Sequence, residues 1–235
     1  MPSVFVTGAN RGLGLEFARQ YAEAGWQVLA ACRAPAAAKA LAALAERSAG
    51  RVTLYPLEVT RFEQIDTLAA ELRGQAIDVL INNAGIGWPP RPPRDGFGRT
   101  DYEEWTTVMR VNVLAPMKLC EALVENVAAS QQKVVAMISS RLGSIELAAS
   151  AGNDHVYRSS KAALNMVTKM LAGYLEDRAI VPVALGPGWV RTDMGGSAAA
   201  LAPEESVGGM RRMIAKLKRT DAGGFFTYQG DRLPW

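Results

Sequence analysis

Short apolar runs alternate along the chain with longer stretches in which apolar and polar residues are mixed. The first apolar run, at residues 4–6, precedes a Thr-Gly pair, and residues 12–24 follow with apolar side chains at helical spacing. A short continuous apolar run is typical of a strand buried on both faces, and a 3.6-residue period is typical of a helix. The pattern therefore predicts a strand followed by a helix at the start of the chain.

The same alternation continues to the end of the chain. Further strands are predicted at 28–32, 52–57, 77–81, 134–138 and 180–185, with an edge strand at 225–228, and further helices at 35–48, 61–73, about 101–129, about 155–176 and 203–218. Strands that alternate with helices predict a mostly parallel sheet covered by helices on both faces. A length of 235 residues fits one large α/β domain over 1–235, with a parallel seven-stranded sheet.

Composition and charge exclude several classes of protein. Hydrophobic residues make up 49% and charged residues 21% of the chain, values that are ordinary for a globular protein. The net charge of +3 is spread along the chain, so no nucleic-acid partner is expected. No stretch approaches the roughly 20 apolar residues that span a bilayer, and no signal-peptide pattern opens the chain. We therefore expect a cytoplasmic protein that does not bind membranes.

Cysteine and histidine usage gives no sign of a metal site. Cys32 and Cys120 lie far apart in apolar surroundings and are expected to be buried free thiols. No Cys/His cluster has the spacing of metal ligands, so no metal is expected.

A glycine-rich turn joins the first strand to the first helix. It reads Thr7-Gly8-Ala9-Asn10-Arg11-Gly12-Leu13-Gly14. Glycines allow a tight turn and close approach of the backbone to a pyrophosphate, and the helix that follows presents free N–H groups. The spacing Gly-x-x-x-Gly-x-Gly differs from Gly-x-Gly-x-x-Gly, and the missing Gly-Lys-Ser/Thr excludes a P-loop. The turn indicates a dinucleotide site, and a tight turn without a ligand remains the alternative.

The stretch after the second strand distinguishes NADPH from NADH. NAD binders commonly place a carboxylate there to hold the ribose 2′-hydroxyl, but no acidic residue occurs over 27–45. Arg33 stands in its place, and a guanidinium pairs with a 2′-phosphate. Arg11 in the glycine-rich turn would supply a second positive charge. The sequence therefore favours NADPH, unless Arg33 is only a solvated charge at a strand end.

A Tyr-x-x-x-Lys pair opens the predicted helix at 155–176. Tyr157 and Lys161 lie four residues apart and therefore on one helical face. A phenol with its ordinary pKa of about 10 is a poor base, and a nearby ammonium lowers that pKa. Taken alone, the pair fits an acid/base couple and an ordinary surface helix equally well.

Six motifs in a fixed order resemble those of the short-chain dehydrogenase/reductase family. They are Thr7-Gly8-x-x-x-Gly12-x-Gly14, Asn82-Asn83-Ala84-Gly85, Val111-Asn112-Val113, Ser139-Ser140, Tyr157 with Lys161, and Pro187-Gly188-Trp189-Val190-Arg191-Thr192. The resemblance covers nearly the whole chain. Residues 138–145, the run that starts at Tyr157 and residues 225–235 are similar to C-factor-like and sniffer-like carbonyl reductases of that family.

The resemblance implies a doubly wound Rossmann-type fold and NADP(H)-dependent reduction of a small carbonyl to an alcohol, a reversible hydride transfer. Tyr157 would deliver the proton, Ser140 would donate a hydrogen bond to the carbonyl oxygen, and Lys161 would hold the nicotinamide ribose. Asn112 would order a water that links Lys161 to solvent. Ser140 is preferred because the family pattern puts the active serine second in the pair, with Ser144 as the fallback.

The resemblance also assigns the cofactor-binding residues. They are Gly8, Asn10, Arg11, Gly12, Leu13, Gly14, Arg33, Glu58, Val59, Asn83, Ala84, Gly85, Tyr157, Lys161, Pro187, Gly188, Val190 and Thr192. In this assignment 83–85 lies against a ribose, and Thr192 and the backbone at Val190 hold the nicotinamide carboxamide. Glu58 stands where relatives usually carry Asp, which leaves its hydrogen bond to the adenine amino group open.

Partners and several surrounding residues follow the same expectation. A homodimer is expected to form through the two long helices, 101–129 and 155–176. A dinucleotide-binding signalling protein that acts through a protein partner is the second hypothesis. The segment 86–100 is either a mobile rim of the site or an ordinary loop. His155 is expected at the helix entrance or pocket wall, and Trp88, Trp189 and Met194 either line the substrate pocket or simply pack.

Overall fold

Seven strands and seven helices alternate in the computed structural model, which describes residues 1–87, 97–148 and 154–235. The strands are β1 Ser3–Thr7, β2 Gln27–Cys32, β3 Val52–Pro56, β4 Val79–Asn82, β5 Val134–Ile138, β6 Val181–Gly186 and β7 Gly224–Thr227. The helices are α1 Gly12–Glu23, α2 Lys39–Arg47, α3 Phe62–Glu71, α4 Tyr102–Met109, α5 Ala115–Ala128, α6 His155–Tyr174 and α7 Pro203–Ile214.

All seven strands pair in parallel in one sheet of order β3-β2-β1-β4-β5-β6-β7. The order reverses between β1 and β4, so this is the doubly wound Rossmann-type arrangement that the sequence predicts. β7 lies at one edge, as expected. In such a sheet a ligand binds beyond the carboxyl ends of the strands where the order reverses.

Two hydrophobic cores cover the two faces of the sheet. Neighbouring residues of a strand point to opposite faces, so Val4 and Val6 join one core and Phe5 joins the other. The first core packs against α1, α2 and α7, and the second against α3, α5 and α6. Burial on both faces explains why the strands are apolar throughout rather than alternating.

The helix predicted over 101–129 is interrupted. α4 ends at Met109, a wider π-type turn spans Arg110–Leu114, and α5 follows. Pro116 has no N–H to donate back to the carbonyl of Asn112, and a single missing bond of this kind favours a local widening of the helix. The break places Asn112 in the turn, which matters for the site described below.

Two other helices are shorter than predicted. The stretch 35–48 begins with a 3₁₀ turn, Pro35–Ala37, before α2 starts at Lys39, and α7 ends at Ile214 rather than at 218. Helix ends are the least determined by periodicity, because they depend on caps and on neighbouring packing.

Cys32 and Cys120 are buried free thiols, as the sequence predicts. Within the described parts of the chain, every helix is too short or too polar to cross a membrane. Residues 88–96 of the proposed rim segment, and with them Trp88, lie outside the described residues.

Candidate active site

A groove opens at the carboxyl ends of the strands, where β1 and β4 diverge. Its lining includes most of the residues assigned from the sequence, namely Gly8, Asn10, Arg11, Gly12, Leu13, Arg33, Glu58, Val59, Asn83, Ala84, Gly85, Tyr157, Lys161, Pro187 and Thr192. Gly14, Asn112, Ser140, Gly188 and Val190 are not part of this lining, and each has a different structural role. The topology therefore brings motifs that are distant in sequence to one crevice.

The glycine-rich turn is built for close backbone approach. Gly8 and Gly12 have φ values of +66° and +53°, a region that disfavours residues with a Cβ. A Cβ on Gly14 would collide with the carbonyl oxygen of Gly8 and would lie 2.6 Å from Nδ2 of Asn83. Gly14 therefore lies beneath the turn, where α1 packs against it, rather than in the groove wall.

The start of α1 is open toward the groove. Its N-cap is Arg11, in extended backbone, and no side chain among the described residues caps the helix there. The first N–H groups of a helix lack intrahelical partners and favour an anion. An uncapped helix start above a cradle of glycines fits the pyrophosphate of a dinucleotide.

Asn83 holds the turn in place with its side chain. Its Nδ2 donates to the carbonyl oxygens of Thr7 at 2.8 Å and Gly8 at 3.4 Å, and its backbone N donates to Oγ1 of Thr7 at 3.0 Å. The N–H of Ala84 also donates to that oxygen, at 2.9 Å. The ends of β1 and β4 are thus tied together, and only the remaining surface of 83–85 faces the groove.

Arg33 lies at the far end of the groove, where a 2′-phosphate is expected. Its side chain is 77% exposed, and its Nη1 lies 3.9 Å from Oε2 of Glu58. Glu58 in turn accepts hydrogen bonds from the backbone N and Oγ1 of Thr60, at 3.3 and 3.1 Å. Glu58 is therefore occupied by its own turn and by a loose ion pair, while Arg33 is free to rotate toward a phosphate.

An ion pair crosses the mouth of the groove between Arg11 and Asp193. The sequence analysis did not single out Asp193, which lines the groove directly after Thr192. A Cβ on Gly12 would also lie 3.4 Å from Cγ2 of Thr192. The glycine-rich turn after β1 and the segment after β6 therefore contact each other. Asp193 carries no sequence signal by itself, because its partner Arg11 is distant in the chain.

Tyr157 and Ser140 lie close to each other near the carboxyl end of β5. Ser140 lies two residues after β5 and caps the 3₁₀ turn Arg141–Gly143, and its Oγ accepts from the N–H of Leu142 at 3.1 Å. This arrangement leaves the hydroxyl hydrogen of Ser140 free to point at the Tyr157 hydroxyl, and that hydrogen bond lowers the pKa of Tyr157. Burial acts more strongly in the opposite direction and raises the pKa of Tyr157 to about 12.

Lys161 is buried one turn after Tyr157. Its Nζ donates to the carbonyl oxygen of Ile138 at 2.8 Å and lies 5.7 Å from the centre of the Tyr157 ring. Burial lowers the pKa of Lys161 to about 8. In the protein without a cofactor, burial is the largest cause of both pKa shifts. That the ammonium lowers the pKa of the phenol stays a prediction.

The neighbouring serines are engaged elsewhere. Ser139 Oγ donates to Oδ1 of Asn165 at 2.6 Å, and Ser144 Oγ donates to the carbonyl oxygen of Trp235 at 3.0 Å. Both residues are buried. Of the three serines considered, Ser140 is the one whose hydroxyl lowers the pKa of Tyr157.

Asn112 is buried in the π-type turn and clamps the chain after β4. Its Oδ1 accepts from the N–H of Ile86 at 2.9 Å, and its Nδ2 donates to the carbonyl of Ile86 at 2.8 Å and to Oγ of Ser160 at 3.0 Å. A Cβ on Gly85 would lie 3.3 Å from Asn112 Oδ1 and 3.7 Å from Lys161 Nζ. Asn112 therefore lies beside Lys161 behind the groove wall, with its side chain paired to protein.

The segment after β6 is tightly folded. Gly188 has a φ of +82°, and a Cβ there would collide with Leu201. Val190 is buried and bridges to Leu201. These contacts shape the turn that presents Thr192 and Met194 to the groove, whereas the half-exposed Trp189 donates its Nε1–H to the carbonyl of Gly195.

His155 joins α6 to the chain before α4. Its Nε2 lies 3.0 Å from Oγ1 of Thr100, and its ring meets Trp105 edge-on with 5.4 Å between ring centres. The side chain thus packs at the helix entrance, as expected, away from the groove lining.

Comparisons with known proteins agree with this geometry. A family model described as short chain dehydrogenase matches residues 2–201. The C-signal protein of Myxococcus xanthus is 39% identical over 161 residues, which cover 68% of this chain and 93% of that protein. The similarity to C-factor-like proteins that the sequence predicts is thus confirmed.

Two solved structures match over the full chain. The carbonyl reductase Sniffer of D. melanogaster is 32% identical with a TM-score of 0.91, and covers 100% of both chains. An NADPH-bound carbonyl reductase from chicken fatty liver is 35% identical with a TM-score of 0.90, and covers 100% of this chain and 99% of that one. The family model, the sheet order and the groove agree, and the chain belongs to the short-chain dehydrogenase family.

Proposed function

We propose that the chain is an NADPH-dependent carbonyl reductase that converts a small carbonyl compound reversibly to its alcohol. The observation that carries the proposal is the pair formed by Ser140 and Tyr157, of which Tyr157 lines the groove. The phenol of Tyr157 is protonated at neutral pH, since its pKa lies well above 7, and it can give that proton to an oxygen on which negative charge develops. The bound nicotinamide would supply the hydride.

The residues of the groove account for the rest of the reaction. Ser140 and Tyr157 donate hydrogen bonds to the carbonyl oxygen and stabilise the negative charge that develops there. Tyr157 then transfers its proton to that oxygen. The ammonium of Lys161, 5.7 Å from the Tyr157 ring centre, favours the resulting phenolate. Lys161 also holds the nicotinamide ribose, and a water near Asn112 returns the proton from solvent.

The cofactor is assigned as NADPH on three grounds. The open helix start and the glycine cradle fit a pyrophosphate. The exposed guanidinium of Arg33 fits a 2′-phosphate. The similar chicken carbonyl reductase is itself an NADPH-bound structure. Thr192 and the backbone at Val190 are proposed to hold the carboxamide, and Glu58 and Val59 the adenine end.

The test is a panel of small aldehydes and ketones with NADPH, followed by Tyr157→Phe. Removing a general acid costs about 10²- to 10⁴-fold in rate, while the affinity for NADPH, read by cofactor fluorescence, should change by less than about threefold. Tyr55→Phe is the matched control, because Tyr55 lies on β3 outside the groove lining. Near-normal turnover by Tyr157→Phe would refute the mechanism.

A signalling protein is the second hypothesis, since the relative from Myxococcus xanthus carries the name C-signal. Pure sensing of a dinucleotide needs no proton donor, and the Ser140–Tyr157 pair therefore argues for catalysis. Tight NADPH binding together with inactivity across the whole carbonyl panel would favour the sensor.

A homodimer is also proposed. Met166, Met170 and Tyr174 follow one another at four-residue spacing on α6 and are 63%, 48% and 68% exposed. A contiguous apolar stripe on a helix is typical of a surface that packs against a partner. A second copy of the chain is the partner that the proposal assigns to it.

A further inference from the structure

Residues 231–235 fold back along β7. The N–H of Asp231 donates to Oγ1 of Thr227 at 3.1 Å, and the N–H of Leu233 donates to the carbonyl of Phe225 at 2.8 Å. Arg232 forms an antiparallel bridge with Phe226. We call residues 231–235 the return segment. Its last residue, Trp235, contacts the loop that follows β5.

Trp235 joins the return segment to that loop. Its carbonyl oxygen accepts two hydrogen bonds, from Oγ of Ser144 and from the backbone N of Glu146, both at 3.0 Å. Its ring stacks on Phe225 with 5.5 Å between centres and 18° between planes. Ser144 is buried and its Oγ also accepts from the N–H of Leu147 at 3.2 Å. The Ser144 hydroxyl and the Trp235 carbonyl thus hold the loop at residues 144, 146 and 147.

The same loop carries Ser140 at its start. A 3₁₀ turn over Arg141–Gly143 connects Ser140 to Ser144. Gly143 packs on α6 so closely that a Cβ there would lie 2.8 Å from the carbonyl carbon of Lys161, and its own carbonyl accepts from Nδ2 of Asn165 at 3.2 Å. The serine is therefore held between α6 on one side and the return segment on the other.

Hydrophobic packing does little to hold this loop. Leu142, Ile145 and Leu147 are 38%, 76% and 40% exposed, so their burial contributes little. A short loop that is not packed keeps its conformation through hydrogen bonds or not at all. Together with the contacts of Gly143 to α6, the bonds of Ser144 and Trp235 set the position of the turn next to Ser140.

We propose that Trp235 and Ser144 are positioning residues for the carbonyl reduction, which hold the loop so that the Ser140 hydroxyl meets Tyr157 and the carbonyl oxygen. The inference rests on the proposed function. A displaced Ser140 weakens a hydrogen bond that matters most when charge develops on the substrate oxygen, so kcat falls more than KM rises. We expect NADPH binding to change little, because the glycine-rich turn and Arg33 lie on the other side of the sheet's reversal point.

Ser144→Ala removes the hydroxyl, and Trp235→Ala keeps its main-chain oxygen but removes the ring that anchors that oxygen through its stack on Phe225. Arg232→Ala is the control. Arg232 belongs to the return segment, but its guanidinium lies near Asp221 and the Phe226 ring rather than the loop. Both test variants should lower kcat by about tenfold or more, with KM for the carbonyl and Kd for NADPH within about threefold of wild type. Arg232→Ala should keep kcat, and Ser144→Thr, which retains a hydroxyl, should restore most of it.

Hydrogen exchange of the protein without substrate supplies a readout that is independent of turnover. The amides of Glu146 and Leu147 should exchange faster in Ser144→Ala and Trp235→Ala than in wild type. Unchanged protection, or unchanged kcat in an active enzyme, would overturn the inference. If the wild type reduces no carbonyl, the proposed function fails, and exchange still shows whether the return segment holds the loop.

Discussion

Lys161 is predicted to lower the free energy of unfolding, although the proposed reaction needs it. Its ammonium is buried, with the carbonyl of Ile138 as its hydrogen-bond partner, and its pKa falls from 10.5 to about 8. That fall corresponds to about 3 kcal/mol of unfavourable free energy for the charged form. Lys161→Met removes this cost but leaves the carbonyl of Ile138 unpaired, which costs about 1–2 kcal/mol. The variant should therefore be about 1–2 kcal/mol more stable at pH 7, while its activity is lost.

The sign of the pH dependence follows from the two pKa values. Below pH 8 Lys161 is charged in both the folded and the unfolded chain, so the cost is fully present. Between pH 8 and 10.5 the unfolded chain still holds a proton that the folded protein has released, and the wild type gains stability as the pH rises. The advantage of Lys161→Met should therefore shrink as the pH rises from 7 to 10.

Urea unfolding without cofactor at pH 7 and pH 10 measures this difference. For a chain of this size, about 2–4 °C in Tm corresponds to 1 kcal/mol, so a thermal melt at pH 7 should also resolve it. Lys169→Met is the matched control, since Lys169 is exposed on the same helix and should show no such pH-dependent gain. A Lys161→Met protein that is less stable than wild type at pH 7, or a gap that stays constant with pH, would refute the reasoning.

Two further predictions concern the cofactor and the assembly. Arg33→Ala should raise KM for NADPH by about 10- to 100-fold, the loss expected for a charge-assisted hydrogen bond, and should leave KM for NADH unchanged; equal effects on both cofactors would assign Arg33 another role. Wild type should sediment as a dimer and Met170→Glu as a monomer, because burying the new carboxylate in the interface without a charged partner is unfavourable. A wild type that sediments as a monomer would refute the proposed dimer.

The local pattern of the sequence was sufficient for most of the fold. Apolar runs and helical periodicity predict the order of strands and helices because both depend on neighbours within a few residues. This pattern did not predict the interruption of the helix at 110–114. The apolar period continues through it, and only the missing N–H of Pro116 marks the break.

The sequence also indicated the residues of the candidate site and the chemistry proposed for it. The glycine-rich turn, Arg33, and the pair Tyr157 and Lys161 each lie within a short segment of the sequence. These segments meet because parallel strands bring their carboxyl ends to one edge of the sheet. The structure then places most of the assigned residues around one groove.

The tertiary structure alone decided which hydroxyls are engaged by other residues and how readily the buried groups give up a proton. Ser139 is hydrogen-bonded to Asn165 and Ser144 to Trp235, whereas the hydroxyl of Ser140 acts on Tyr157. Burial raises the pKa of Tyr157 and lowers that of Lys161. Hydrogen-bond partners and desolvation depend on residues that are far apart in the chain. No local pattern specifies them before the chain is folded.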